Sequence, residues 1–268
     1  MVKEFFFGCA DGSTKKALEL ANIENVMISY ATKNKTPPKT TKKLFVDSGA
    51  FSFFYYKAGY NTSHREYLKF VEKRNAYMFA NRDFPCEPEL LKKYRRTVKE
   101  NQEMTMQNQT EIMDLLDKEY DHLKDKFVAV IQGWKVQEYL YMLDRMKERG
   151  LLTKRIGIGS VCRRGQDNEI RKIIHEIRAN LPKKYELHAF GIKFNVLKFK
   201  EVWDALASVD SSAFRFMITN NGTPIWLQVK KKIERWVEKI EKLKRKHEKQ
   251  KSLLNVGFAT KVCSEERK

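Results

Sequence analysis

The chain has 268 residues, 42% of them hydrophobic, and 53 Lys and Arg against 34 Asp and Glu give a formal net charge of +19. That length and apolar content suffice for one sizeable core. No stretch is apolar for long enough to cross a bilayer, and Met1 to Phe7 has neither a signal peptide's long apolar region nor its cleavage site, so a soluble, cytoplasmic protein is expected.

The charge excess asks for a polyanionic partner, and nucleic acid is preferred to a balanced ion-paired surface. Cys9, Cys86, Cys162 and Cys263 lie far apart with no C-x-x-C pair, which predicts reduced thiols and gives no spacing support to a metal site.

In chain order, Glu4 to Ala10 is an apolar run ending in Asp11-Gly12-Ser13, followed by a short helix over Thr14 to Asn22 and a second run over Asn25 to Ala31. Thr32 to Lys43, with Pro37-Pro38, is a loop. Leu44, Phe45 and Val46 then end abruptly at Asp47-Ser48-Gly49. Phe51 to Tyr60 is rich in aromatics, and Ser63 to Arg74 reads as a helix with Ser63 as N-cap and Glu66 three residues on.

Ala76 to Ala80 is a strand leading into Asn81-Arg82-Asp83. The segment 84–126 is long, charged and helical in period, two helices with Met104-Thr105-Met106 near their join; it is either an inserted subdomain or an extended barrel helix. Phe127 to Ile131 is a buried strand, Val136 to Arg149 a helix stopped by Gly150, and Arg155 to Ser160 another strand. Asn168 to Asn180 sets Ile170, Ile173, Ile174 and Ile177 on one helical face. Tyr185 to Ile192, a helix over Val196 to Ala207, and Ser208 to Phe214 complete the alternation.

About eight strands, each followed by a helix or a long crossing loop, predict an α/β protein built as a closed (β/α)8 TIM barrel. Residues 1–222 form the barrel in this reading. Pro224 to Lys251 is a basic C-terminal helix with an apolar stripe, and 252–268 a loosely ordered tail. The helix either closes the barrel with a solvated face or tracks a phosphate backbone through Lys230, Lys231 and Arg235, and both readings stand. Polar residues recur at the strand ends, where such barrels do their chemistry.

Asp47-Ser48-Gly49-Ala50-Phe51, Val130-Ile131-Gln132-Gly133, Ile156-Gly157-Ile158-Gly159-Ser160-Val161, His188-Ala189-Phe190-Gly191-Ile192 and Val209-Asp210-Ser211 resemble, in order and spacing, the signature elements of the guanine transglycosylases. These barrel enzymes exchange guanine for a 7-deazaguanine in tRNA and, in a related branch, in DNA. The resemblance covers the barrel from about residue 45 to 222 and fades in 84–126 and beyond 222.

It implies Asp210 as nucleophile and Asp47 as general acid/base, the two carboxyl groups that a retaining exchange at an anomeric carbon requires, facing one another across a pocket. It also implies Asp83 and Gln132 on the edge of the base, closed by Ser48, Gly159, Ser160, Val161 and Gly191, with Phe51 and Phe190 stacking on its faces. Arg163 and Arg164, like the helix cations, are expected to contact nucleic acid.

The closely spaced cysteines and histidine of the tRNA enzymes' zinc site have no counterpart after Gly222, so no metal and no cofactor are expected. DNA is the favoured polymer and tRNA the alternative. Ser160 stands where those enzymes usually carry a second glycine. A barrel that only binds nucleic acid, a hydrolytic nucleosidase, and a partner protein for substrate access remain open readings.

Overall fold

The structure is a computed structural model that describes residues 2–32, 36–162, 164–219 and 222–265, with side chains as far as residue 250. Eight parallel strands close into one barrel in chain order: β1 (Glu4–Gly8), β2 (Asn25–Ser29), β3 (Lys43–Asp47), β4 (Met78–Ala80), β5 (Phe127–Ile131), β6 (Arg155–Ile158), β7 (Glu186–Ala189) and β8 (Ser208–Ser211). Pairing of β8 with β1, Phe6 opposite Asp210, shuts the ring. This is the (β/α)8 barrel that the alternation predicts.

Strand β1 shows why the sequence builds it. Its three phenylalanines alternate faces. Phe6 points into the barrel and is fully buried, meeting Phe45 at 5.7 Å between ring centroids. Phe5 faces outward and packs on Trp236. Inside the barrel, Phe6, Met27, Phe45, Met78, Ala80, Val128 and Val130 form a cluster of their own, capped by Phe190. The interior is therefore solid beneath the strand ends.

Helices α1 (Gly12–Leu20), α2 (Ala50–Tyr56), α3 (His64–Lys73), α4 (Pro88–Tyr94), α5 (Val98–Lys118), α6 (Val136–Glu148), α7 (Asp167–Ala179), α8 (Lys200–Ala205) and α9 (Ile225–Glu265) surround the strands. Ser63 and Glu66 cap α3 reciprocally, as their spacing predicts. The four isoleucines of α7 are all buried.

Several boundaries differ from the sequence reading. The aromatic segment after Asp47 folds into α2. The two helices of 84–126 join at Arg95–Thr97, not near Met104, because Arg95 turns left-handed (φ 51°) and Thr97 with Glu100 builds a fresh capping box. Helix α5 packs on α3, α6 and β5, so the segment occupies a barrel helix position. The expected helix over 196–207 is a short 3-10 turn, Phe194–Lys198, followed by α8. No proline interrupts α9, whose backbone continues to Glu265 and so runs into the segment expected as a tail. Among the described residues no helix is long and apolar enough to cross a membrane.

Candidate active site

The carboxyl ends of the strands open onto a cavity of about 300 Å³, at the lower end of the range of ligand pockets, about 300–1,000 Å³. Its wall includes Asp47, Asp83, Glu87, Gln132, Ser160 and Asp210, with Phe51 and Phe190. Four carboxyl groups thus meet in one small space, and among the described lining residues none is basic.

Asp47 is the last residue of β3. The chain then reverses through Gly49 in the left-handed region (φ 77°), and the Gly49 N–H donates back to Asp47 Oδ2 at 3.1 Å. A side chain at Gly49 would also stand 2.6 Å from the Ala31 nitrogen, so the turn is closed to other residues. Burial, followed by the charges of Asp83 and Asp210, raises the Asp47 carboxyl to about 7. Asp47 therefore exchanges a proton near neutrality.

Asp83, beyond the end of β4, accepts from Ser48 Oγ at 3.0 Å on one oxygen and from Gln132 Nε2 on the other. Burial lifts it to about 6, and these two donors oppose the rise. Gln132 Oε1 in turn accepts from Ser160 Oγ at 2.6 Å. This arrangement orients the amide with its nitrogen toward Asp83. Gly159 leaves room for it, since a Cβ there would lie 2.3 Å from Gln132 Nε2.

Ser160 Oγ also lies 3.0 Å from Glu87 Oε2, and it accepts from the Cys86 N–H at 3.0 Å. One hydroxyl proton cannot serve both Gln132 and Glu87. The shorter contact takes it, and the Glu87 contact is satisfied when Glu87 carries a proton. Burial accounts for that proton, raising Glu87 to about 7. Glu87, Ser160, Gln132, Asp83 and Ser48 form one continuous hydrogen-bonded chain.

On the opposite wall Asp210, 6% exposed, receives the Gly191 N–H at 2.8 Å and faces His188 Nε2 at 3.2 Å, both through Oδ1. Ser208 Oγ lies 2.9 Å from His188 Nδ1. With the proton on Nε2, the imidazole donates to Asp210 and accepts from Ser208. The ring is wedged among Phe6, Phe45 and Phe190 and has little freedom to turn.

Of the residues singled out from sequence, Asp47, Asp83, Asp210, Gln132, Gly159, Ser160, Phe51, Phe190 and Gly191 all line this cavity. Ser48 does not line it but hydrogen-bonds to Asp83 and Ala50, which do, while the Val161 side chain lies in the main core behind it. Arg164 is not on the surface. It is 4% exposed, donates to the Ser160 and Trp134 carbonyls and stacks on the Trp134 ring, so the guanidinium ties the turn after β6 to the loop after β5. Arg163 lies outside the described residues. On α9, Lys231 and Arg235 are exposed, and Lys230 pairs with Glu234.

Sequence reasoning missed Glu87 and the role of His188. For His188 a signal existed, since it lies on β7 two residues before Phe190, just past the strand's end, and so shares its inward face. Glu87 sits in an irregular stretch just before Pro88 and carries no periodic mark. Among the described residues, no group of three or more His, Cys, Asp or Glu could hold a metal ion.

Fold and site together define a TIM barrel with a small, carboxyl-lined pocket at the C-terminal ends of its strands. The family described as DpdA, DeoxyPurine in DNA protein A, matches residues 5–259, and the chain belongs to this family of DNA-acting 7-deazaguanine transglycosylases. Membership supports a DNA-modifying 7-deazaguanine transglycosylase role. No curated protein matches the chain.

Proposed function

We propose that the protein exchanges guanine for a 7-deazaguanine in DNA through a covalent aspartyl intermediate, with Asp210 as nucleophile and Asp47 as general acid and base. The observation that carries this reading is that both carboxyl groups line one cavity, one held by the Gly191 N–H beside His188 and the other raised to about 7.

In the first half, Asp210 attacks C1′ of the target deoxyguanosine while the C1′–N9 bond breaks and protonated Asp47 delivers its proton to the departing base. Guanine leaves neutral, and the sugar is held as an ester on Asp210. In the second half, the Asp47 carboxylate removes the N9 proton of the incoming 7-deazaguanine, N9 attacks C1′, and Asp210 is released. Two displacements at C1′ give retention. A group that alternates between acid and base serves best with a pKa near the working pH, the value to which burial brings Asp47.

Asp83 accepts from the N1–H and 2-amino group of the base, and Gln132 donates to its 6-carbonyl through the amide nitrogen that Ser160 directs inward. Phe51 and Phe190 stack on its faces. Lys230, Lys231 and Arg235 of α9 contact phosphates. The decisive test incubates the purified protein with labelled guanine and with a 7-deazaguanine, offering DNA and tRNA separately. Label in DNA, with an adduct trapped by wild type and absent from D210A, supports the proposal. Free guanine released without label entering the polymer would make the protein a hydrolase, and label in tRNA alone would replace the substrate.

A further inference from the structure

Four residues beyond Ser212, which lines the cavity, the chain presents Phe216 and Met217 to solvent with 74% and 90% of their surface exposed. Met217 is the most exposed large apolar side chain among the described residues. It is also held at φ 61°, a conformation that an unbranched L-residue adopts only at a cost.

The loop is braced from α9 rather than left to relax. Lys232 Nζ donates to the Met217 carbonyl at 2.9 Å and to that of Phe216. Gln228 Nε2 donates to the Thr219 and Thr223 carbonyls at 2.8 and 2.9 Å. At its base, Arg215 pairs with Asp11. A strained residue, two side chains committed to backbone carbonyls and two apolar groups in water together point to a bound partner.

We propose that Phe216 and Met217 are a wedge that enters the base stack of duplex DNA beside the target nucleotide and fills the gap left when the target base is extruded. The inference rests on the base-exchange reading. Asp210 lies too deep to meet a sugar whose base is still paired, so a duplex substrate must give up its stacking, a cost that an inserted apolar side chain offsets. Position and charge agree with this partner. Met217 is within about 18 Å of Ser212 by chain length alone, and the neighbouring α9 surface carries exposed Lys231 and Arg235, which suit phosphates flanking an opened step.

The test compares the full-length wild type with F216A/M217A and with F216L/M217L. Exchange of labelled guanine is measured into one sequence offered as duplex and as single strand, and fluorescence of 2-aminopurine placed beside the guanine reports unstacking on binding. The duplex-to-single-strand ratio is expected to fall about tenfold or more in the alanine variant and to recover in the leucine variant, with the unstacking signal following it. An unchanged ratio, or equal losses on both polymers, overturns the wedge. So does a wild-type dimer in sedimentation that the alanine variant dissolves, because the patch is then a contact between copies. If the wild type labels neither polymer, the base-exchange reading fails, and the fluorescence signal alone decides whether the wedge exists.

Discussion

His188 Nε2 stands 3.2 Å from Asp210 Oδ1, while its other ring nitrogen stands 2.9 Å from Ser208 Oγ. The imidazole is thus a spacer that transmits the position of the β8 backbone to one carboxylate oxygen, and in the proposed reaction the other, Oδ2, is the atom that attacks. Asp210 depends on β7 as much as on its own strand.

Removing the spacer should slow adduct formation. H188A is expected to lower the rate by about 10–100-fold, the range set by losing a hydrogen bond to a charged group. H188N, which keeps a donor, should retain more of the rate. Single-turnover trapping of the adduct reads both variants, and equal rates in H188N and H188A would remove the hydrogen bond from the account.

In the proposed mechanism Asp47 sets the pH dependence of the first half-reaction. Because burial brings its carboxyl to about 7, adduct formation should fall as pH rises through that value and the proton donor is lost. D47N should lower the rate by about 10²–10⁴-fold and abolish this limb of the profile. A limb that persists in D47N assigns the acid elsewhere.

Glu87 links pH to stability. Its carboxyl is raised from 4.5 to about 7 by burial, so the folded chain holds this proton more tightly than the unfolded one. The resulting stabilisation is complete below about 4.5 and is lost as pH rises through about 7. E87Q stays neutral throughout. Its melting temperature should gain on wild type between about pH 5 and about pH 8, and thermal unfolding across that window should show the two curves separating. A constant offset would mean that Glu87 has an ordinary pKa.

Gly159→Ala tests the clearance around Gln132. The new Cβ would lie 2.3 Å from Nε2, at the end of a flexible side chain, so the amide moves while the fold holds. The KM for the incoming base should rise by about tenfold or more with little change in melting temperature, since a guanine carbonyl loses its donor. A large loss of stability with unchanged KM would place the glycine's role in the strand.

The cations of α9 are tested by salt. Binding of DNA should weaken steeply with salt, and K231A/R235A should flatten the slope of log K against log salt by about one for each phosphate contact removed. An identical slope would put the DNA path away from α9.

Much of this molecule was legible before any coordinates. Strands buried on both faces announce themselves as short apolar runs, and eight of them separated by helical segments leave few alternatives to a barrel. Asp47 and Asp210 were visible because each ends such a run. The errors fall where local chemistry overrides periodicity. The join at Arg95–Thr97 is set by a left-handed residue and a capping box inside a continuously charged stretch. Arg164 belongs to a basic, polar turn that reads as surface, yet the Ser160 carbonyl of that turn and the Trp134 carbonyl of the loop after β5 draw it inward. Glu87 is buried by the path of an irregular loop, which no pattern in the chain encodes.

The apolar plug inside the barrel, from Phe6 and Phe45 up to Phe190, gives the cavity a floor beneath the strand ends. A chamber of about 300 Å³ at the strand ends is small, and the proposed exchange passes two bases through it in turn. On the proposed mechanism the outgoing guanine vacates before its replacement enters, so the sugar ester spends an interval with nothing stacked above it and water able to reach it. Fidelity of exchange over hydrolysis then becomes a race between refilling and water, won by the concentration of free deazaguanine and by how tightly the DNA closes the door.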